Sequence, residues 1–200
     1  MPRLAAHEEG LHLRVYQRDD FEIYPLSYEF HVASGPEQST PAGAQLVVTK
    51  KVPSWLREEL AAVLGEKRQR KIGMLNYLIS GSTAYSRQYA PKGDLWTAGW
   101  AAPGLGAFLE AIALTKAKTT HNISTASTST LPSILRIRQL QKAGLIKLNK
   151  TEKDLLNAGN HSELLYSLEM RGQLPIRRPL KTWLMGLGRV IRAAQQKKAG

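Results

Sequence analysis

Five histidines, pairs of adjacent carboxylates and a tight run of cations are the side chains best placed to do chemistry. The histidines are His7, His12, His31, His121 and His161. No two share a helical turn, and no HExxH-like spacing places two of them on one metal ion. His31 sits in a strand-like pattern, and His121 and His161 sit in polar stretches. Asp19-Asp20 and Glu58-Glu59 are immediate neighbours. Neighbours point to opposite faces of a strand and diverge by about 100° on a helix, so neither pair is arranged for acid–base work. No GxSxG elbow exists, and the hydroxyls of residues 119–130, although His121 lies among them, match no nucleophile–base motif. Cysteine is absent, which removes thiolate ligands, thiol nucleophiles and disulfides together. The residues therefore predict no catalytic group, no metal and no cofactor.

Pro103-Gly104-Leu105-Gly106 precedes an apolar helical stretch, a setting in which backbone N–H groups bind phosphate. The full GxGxxG pattern is missing and no Lys-Ser/Thr pair follows. A tight turn into a packed helix is the expectation.

The cations carry more information. Lys67-Arg68-Gln69-Arg70-Lys71 places four in five residues and suits a nuclear import signal, a phosphate contact or a solvated helix start. Charge is also polarised along the chain. Residues 1–60 hold 6 Lys/Arg against 9 Asp/Glu, residues 61–130 hold 8 against 3, and residues 131–200 hold 14 against 4, within a total of +12. A field that one-sided attracts polyanions: nucleic acid, a ribonucleoprotein or an anionic membrane surface.

These cations need elements to hold them. Leu11, Leu13 and Val15, then Phe21 and Ile23, then Tyr28, Phe30 and Val32 alternate with polar residues, which predicts strands over 11–32 with a turn at Arg18-Asp19-Asp20. Residues 34–43 read as a loop and residues 45–51 as a further strand. A helix over 54–64 is expected, capped by Ser54, and a second over 67–80, with Ile72, Leu75, Leu78 and Ile79 on its apolar side. Residues 81–106, rich in Gly, Pro and aromatics, are a boundary region, and residues 105–117 an apolar helix. The Ser/Thr tract 119–130 reads as a mobile linker. Helices follow at 132–143, closed by Gly144, at 151–157 with Thr151 as cap, at 162–170, and at 180–198. The predicted class is α+β, with a strand-rich N-terminal region (1–118), the linker (119–130) and a basic helical region (131–200).

Two segments of the basic region are candidate binding surfaces. Leu140, Gly144, Leu145 and Ile146 form an L-x-x-x-G-L-I ending that resembles the end of the recognition helix in winged-helix regulators. That resemblance covers about 20 residues and implies a strand after Gly144, with Arg136, Arg138, Lys142 and Lys147 turned toward phosphate or base edges. An ordinary amphipathic helix with a Gly cap is the alternative. The last helix carries Trp183, Leu184, Leu187 and Ile191 on one side and Arg189 and Arg192 on the other, a pattern suited to an anionic membrane, a partner, self-association or its own core.

The order of elements, a strand-rich start, a helix over 54–64, a basic turn and a segment ending in LISGSTAY, is similar to that of rhabdovirus matrix proteins. The chain departs from that pattern in its helical second half, its lack of a PPxY motif and its non-basic N-terminus. The resemblance implies a peripheral structural protein bridging an anionic membrane and a nucleocapsid. The residues themselves point to a non-enzymatic protein that binds nucleic acid or a ribonucleoprotein. No secretory signal or membrane-spanning run is visible, so the expected location is an intracellular, reducing compartment, the nucleus included.

Overall fold

The computed structural model describes residues 9–17, 24–34, 44–49, 53–58, 60, 69–87, 104–128 and 132–199. The fold is α+β. One sheet of seven strands has the order β3-β1-β2-β4-β5-β6-β7. β1 (Glu9–Gln17) pairs antiparallel with β2 (Tyr24–Ser34) and with β3 (Ala44–Thr49). The patterns at 11–15, 28–32 and 45–49 thus form strands, while the Arg18-Asp19-Asp20 turn, Phe21, Ile23 and residues 50 and 51 lie outside the described residues.

The expectation of a helix over 67–80 is corrected. Gln69–Ser80 is β4, antiparallel to β2 and to β5 (Thr83–Arg87). Its register against β2 shifts between Phe30 and His31, with Gly73 opposite the first and Lys71 opposite the second. Ile72 is the extra residue, and one extra residue reverses the faces of everything beyond it. Ile72 is therefore buried on one side of the shift and Tyr77 and Ile79 on the other, odd positions after an even one.

Residues Ser54–Leu56 form a 3₁₀ turn that continues helically at 57, 58 and 60. Pro53 takes the cap position and no side-chain cap forms, so Ser54 is not the cap. Leu56 and Leu60 enter the core.

Helix α1 (Leu105–His121) starts immediately after Gly104, whose φ of +83° is left-handed. A Cβ there would stand 2.7 Å from Ala194 and 3.2 Å from the Trp55 ring. Glycine is needed both for the conformation and for the close approach. Trp55 then meets Phe108 edge to face, with ring centroids 6.1 Å apart. The Gly-rich turn serves packing, as expected.

The Ser/Thr tract is also corrected. Thr119 and Thr120 end α1, each hydroxyl donating to the Lys116 carbonyl. Asn122 turns the chain at a φ of +50°. Thr125–Ser127 is then β6, parallel to β5 and antiparallel to β7 (Arg177–Pro179). Ala126, Ser127 and Thr128 are buried. Thr128 N–H donates to the Ile176 carbonyl and Thr128 Oγ1 accepts from Ile176 N–H. Short hydroxyl side chains let this strand satisfy its polar groups inside the fold.

The remaining helices are α2 (Ile134–Lys142), α3 (Lys150–Ala158), α4 (His161–Met170) and α5 (Leu180–Ala199). Ser133 caps α2, and Gly144 turns the chain beyond it at φ +67°. No strand follows, contrary to the winged-helix expectation; Leu145, Ile146 and Leu148 fold into the core. Asn149, not Thr151, caps α3, in a reciprocal box with Glu152. α5 packs on α1, α2 and the β6-β7 corner. Gly186 permits this contact, because a Cβ there would sit 2.7 Å from the Ala143 carbonyl oxygen. Among the described residues no helix is long and apolar enough to cross a membrane.

Candidate nucleic-acid interface and a basic-rimmed groove

Charge is used in two ways in the helical half. The first is internal. Glu110, in the middle of α1, is 2 % exposed. Arg136 of α2 grips it with two hydrogen bonds of 2.6 Å, one to each carboxylate oxygen. Trp183 of α5 donates its indole N–H to the same carboxylate at 2.9 Å. Gln139 Oε1 accepts from Arg136 at 2.8 Å, and the guanidinium lies 5.7 Å from the Trp183 ring centroid. Three helices are thus tied at one point. Burial opposes the charge on Arg136, but the Coulombic pull and hydrogen bonds of Glu110 outweigh it and hold the pKa above the ordinary arginine value. Arg136, expected to face phosphate, is a core residue. Its geometry matches the bidentate fork that makes arginine suited to buried pairing.

A second buried carboxylate locks α3 to α4. Glu152 accepts from the Asn149 N–H at 2.8 Å, from the Ser167 hydroxyl at 3.1 Å and from Arg171. Burial pushes its carboxyl up, but the Asn149, Arg171 and Ser167 hydrogen bonds prevail and hold it below the usual carboxylate range. His161 Nε2 lies 2.9 Å from the Pro132 carbonyl oxygen and ties the start of α4 to the approach of α2. Among the described residues no cluster of His, Asp and Glu could hold a metal ion.

The second use is external. Arg138, Lys142, Lys147, Lys150 and Lys153 are all exposed. Arg138 and Lys142 are one helical turn apart on α2, and Lys150 and Lys153 share a face of α3. Arg138 donates to the Leu156 carbonyl at 3.1 Å, which links the two helices. The single carboxylate between Arg138 and Lys153 is Glu152, which is buried and paired. Asp154, next to Lys153, is the one exposed carboxylate of α3, so the five cations of this unit outnumber its exposed counter-charge. Lys67 and Arg68 lie outside the described residues. Arg70 and Lys71 belong to β4, opposite Val32 and His31.

Helix α5 has two distinct stripes. Leu180, Trp183, Leu187 and Ala194 face the core. Trp183 is 1 % and Leu187 0 % exposed, so these two are core residues and not the accessible surface expected of them. Leu184 and Ile191 are half-buried. The opposite stripe, Lys181, Met185, Gly188, Arg189 and Arg192, faces outward and lines a groove of about 760 Å³ against the end of α1 and the β6-β7 corner. Ile123, Leu180, Leu184 and Met185 supply its apolar surface; Lys118, Lys181, Arg189 and Arg192 supply four cations, and no lining residue is acidic. Arg189 also donates to the Ala143 carbonyl at 3.3 Å, near the C-terminal end of α2, where the helix dipole favours a cation.

Sequence reasoning missed Glu110 and the groove. Glu110 did leave a signal: it is the single charge in the apolar run Leu105–Thr115, and a lone carboxylate on a buried face needs a partner. No known protein family matches the chain, nor does any curated protein or solved structure.

Proposed function

We propose that this chain is a non-enzymatic protein that binds nucleic acid, bare or within a ribonucleoprotein, through phosphate contacts from the α2–α3 unit. The observation that carries the reading is the row Arg138, Lys142, Lys147, Lys150 and Lys153, exposed while the intervening Glu152 is buried and paired. Rows of this kind neutralise phosphates and release counterions. Lysine dominates the row, and lysine acts as a point charge, so binding is weakly dependent on sequence. The proposed setting is a reducing intracellular compartment, the nucleus included.

The test is a salt titration of the full chain against mixed-sequence RNA and DNA. On duplex DNA log K falls by about 0.9 per neutralised phosphate for each unit of log salt. A variant with Lys142, Lys147, Lys150 and Lys153 changed to Gln should bind more weakly and with a shallower slope. Affinity that ignores salt, or a quadruple variant that binds like the parent, would refute the reading.

A matrix-type role at an anionic membrane is the second reading. It draws support from the outward stripe of α5, where Met185 is 55 % exposed among Lys181, Arg189 and Arg192. It can no longer use Trp183 or Leu187. Co-sedimentation with phosphatidylserine vesicles, present or absent in the full chain, decides it.

A further inference from the structure

The molecule carries a second exposed apolar patch whose chemistry is the complement of the groove. On α4, Tyr166 is 66 % and Met170 70 % exposed, the two most exposed large apolar side chains described. Helical geometry places them within a sector of ~120°, Tyr166 at its middle and Met170 toward Glu163, with Glu169 on the other flank. Both glutamates are exposed. Leu164 and Leu168 bury the opposite side of the helix. The patch is therefore apolar in the middle and acidic at both edges. The groove beside α5 is apolar in its floor and basic at its rim, and none of its lining residues comes from α4.

We propose that the groove receives the α4 face of a second copy of this chain. Tyr166 and Met170 cover Leu184 and Met185, and Glu163 and Glu169 meet Lys181 and Arg192. Tyrosine is a frequent anchor at interface centres, and methionine adapts to an irregular floor. The two patches are different surfaces of one molecule, so the contact is heterologous and leads to head-to-tail rings or open chains, not to a closed two-fold dimer. Two anchors and two rim ion pairs make a weak contact, with a Kd of about 10 µM to 1 mM, strengthened at low salt. The proposal stands apart from nucleic-acid binding, because its partner is the protein itself and the α2–α3 cations take no part.

Sedimentation velocity of the full chain without nucleic acid tests it. The weight-average mass should rise with concentration and continue past twice the 22.2 kDa monomer. Two charge-swapped variants, Glu163→Lys with Glu169→Lys and Lys181→Glu with Arg192→Glu, should each stay monomeric where the parent associates. Mixed in equal amounts they should associate again. Tyr166→Ser with Met170→Ser should abolish association at an unchanged melting temperature, since both side chains are exposed. A parent that stays monomeric throughout, association that stops at a two-fold dimer, swaps that leave it intact, or a mixture that fails to recover would each overturn the proposal. So would an α4 double variant that still associates, because the groove would then hold some other surface.

Discussion

The two faces of α2 use one residue type against different surroundings. Arg136 looks inward, holds a buried carboxylate and lies beside a tryptophan. Arg138, two residues on, looks outward with Lys142, Lys147, Lys150 and Lys153 around it. A turn of about 200° on the helix separates structural charge from available charge. Net charge alone cannot tell them apart, and fourteen cations in the last seventy residues overstate what is free to bind. The ones that remain on α2 and α3 are in excess because Glu152 is withdrawn into the α3–α4 junction, which leaves Asp154 as the exposed carboxylate beside them.

The strongest way to break this comparison is at the buried end. Arg136→Ala leaves the buried Glu110 carboxylate without its cationic partner, which costs about 3–5 kcal/mol. Trp183→Ala removes a large core side chain and a hydrogen bond to the same carboxylate, with a loss of similar size. Thermal unfolding of the two single variants and the double variant should show strong non-additivity, because both act on Glu110. Losses under about 1 kcal/mol would mean that the Glu110 knot is not a structural centre.

A smaller effect is expected at Glu152, and it depends on pH. Its carboxyl is held below the ordinary range in the folded chain. The unfolded chain therefore takes up the proton first as pH falls. The contribution of Glu152 is complete above the ordinary glutamate value of about 4.3 and is lost as pH drops through the lower folded value. Glu152→Gln should be less stable than the parent at neutral pH and should lose less stability as pH falls below about 4.3. Parallel pH profiles for parent and variant would show that Glu152 is not held in its charged form. At the same junction, Asn149→Ala removes the cap acceptor for the Glu152 N–H and should cost ~1 kcal/mol.

Much of the helical half was legible in the sequence, and the reason is periodicity. α5 shows a stripe of Leu180, Trp183, Leu187 and Ala194 that the fold buries, and a one-sided helix is readable without a structure. What the stripe could not say is whether it faces the chain's own core or a partner. β4 was misread because its bulge at Ile72 breaks the two-residue alternation, while Ile72, Leu75, Leu78 and Ile79 mimic helical spacing. β6 was hidden by composition: its Ser127 and the neighbouring Thr128 are polar by type but buried, Thr128 being satisfied by Ile176 across the chain. Such long-range partners leave no local pattern. The same holds for Glu110 and Arg136, 26 residues apart, and for the groove, whose rim comes from α1 and α5.

The smallest expected change in stability lies at the outward end of the comparison, and it isolates function best. Lys142→Gln with Lys147→Gln removes two charges from exposed positions that make no buried contact. Exposed substitutions of this kind stay within about 0.5 kcal/mol. Removing like charges from a crowded basic surface relieves repulsion, so the sign can favour the variant. If these lysines contact phosphate, the salt slope on duplex DNA should fall by up to about 1.8, at about 0.9 for each contact. Arg136→Ala, by contrast, should lower the melting temperature strongly and leave the slope unchanged under conditions where the chain stays folded. The two variants therefore move different readouts. A double lysine variant that loses stability, or a buried-end variant that changes the salt slope in the folded state, would show that inward and outward charge are not separate on α2.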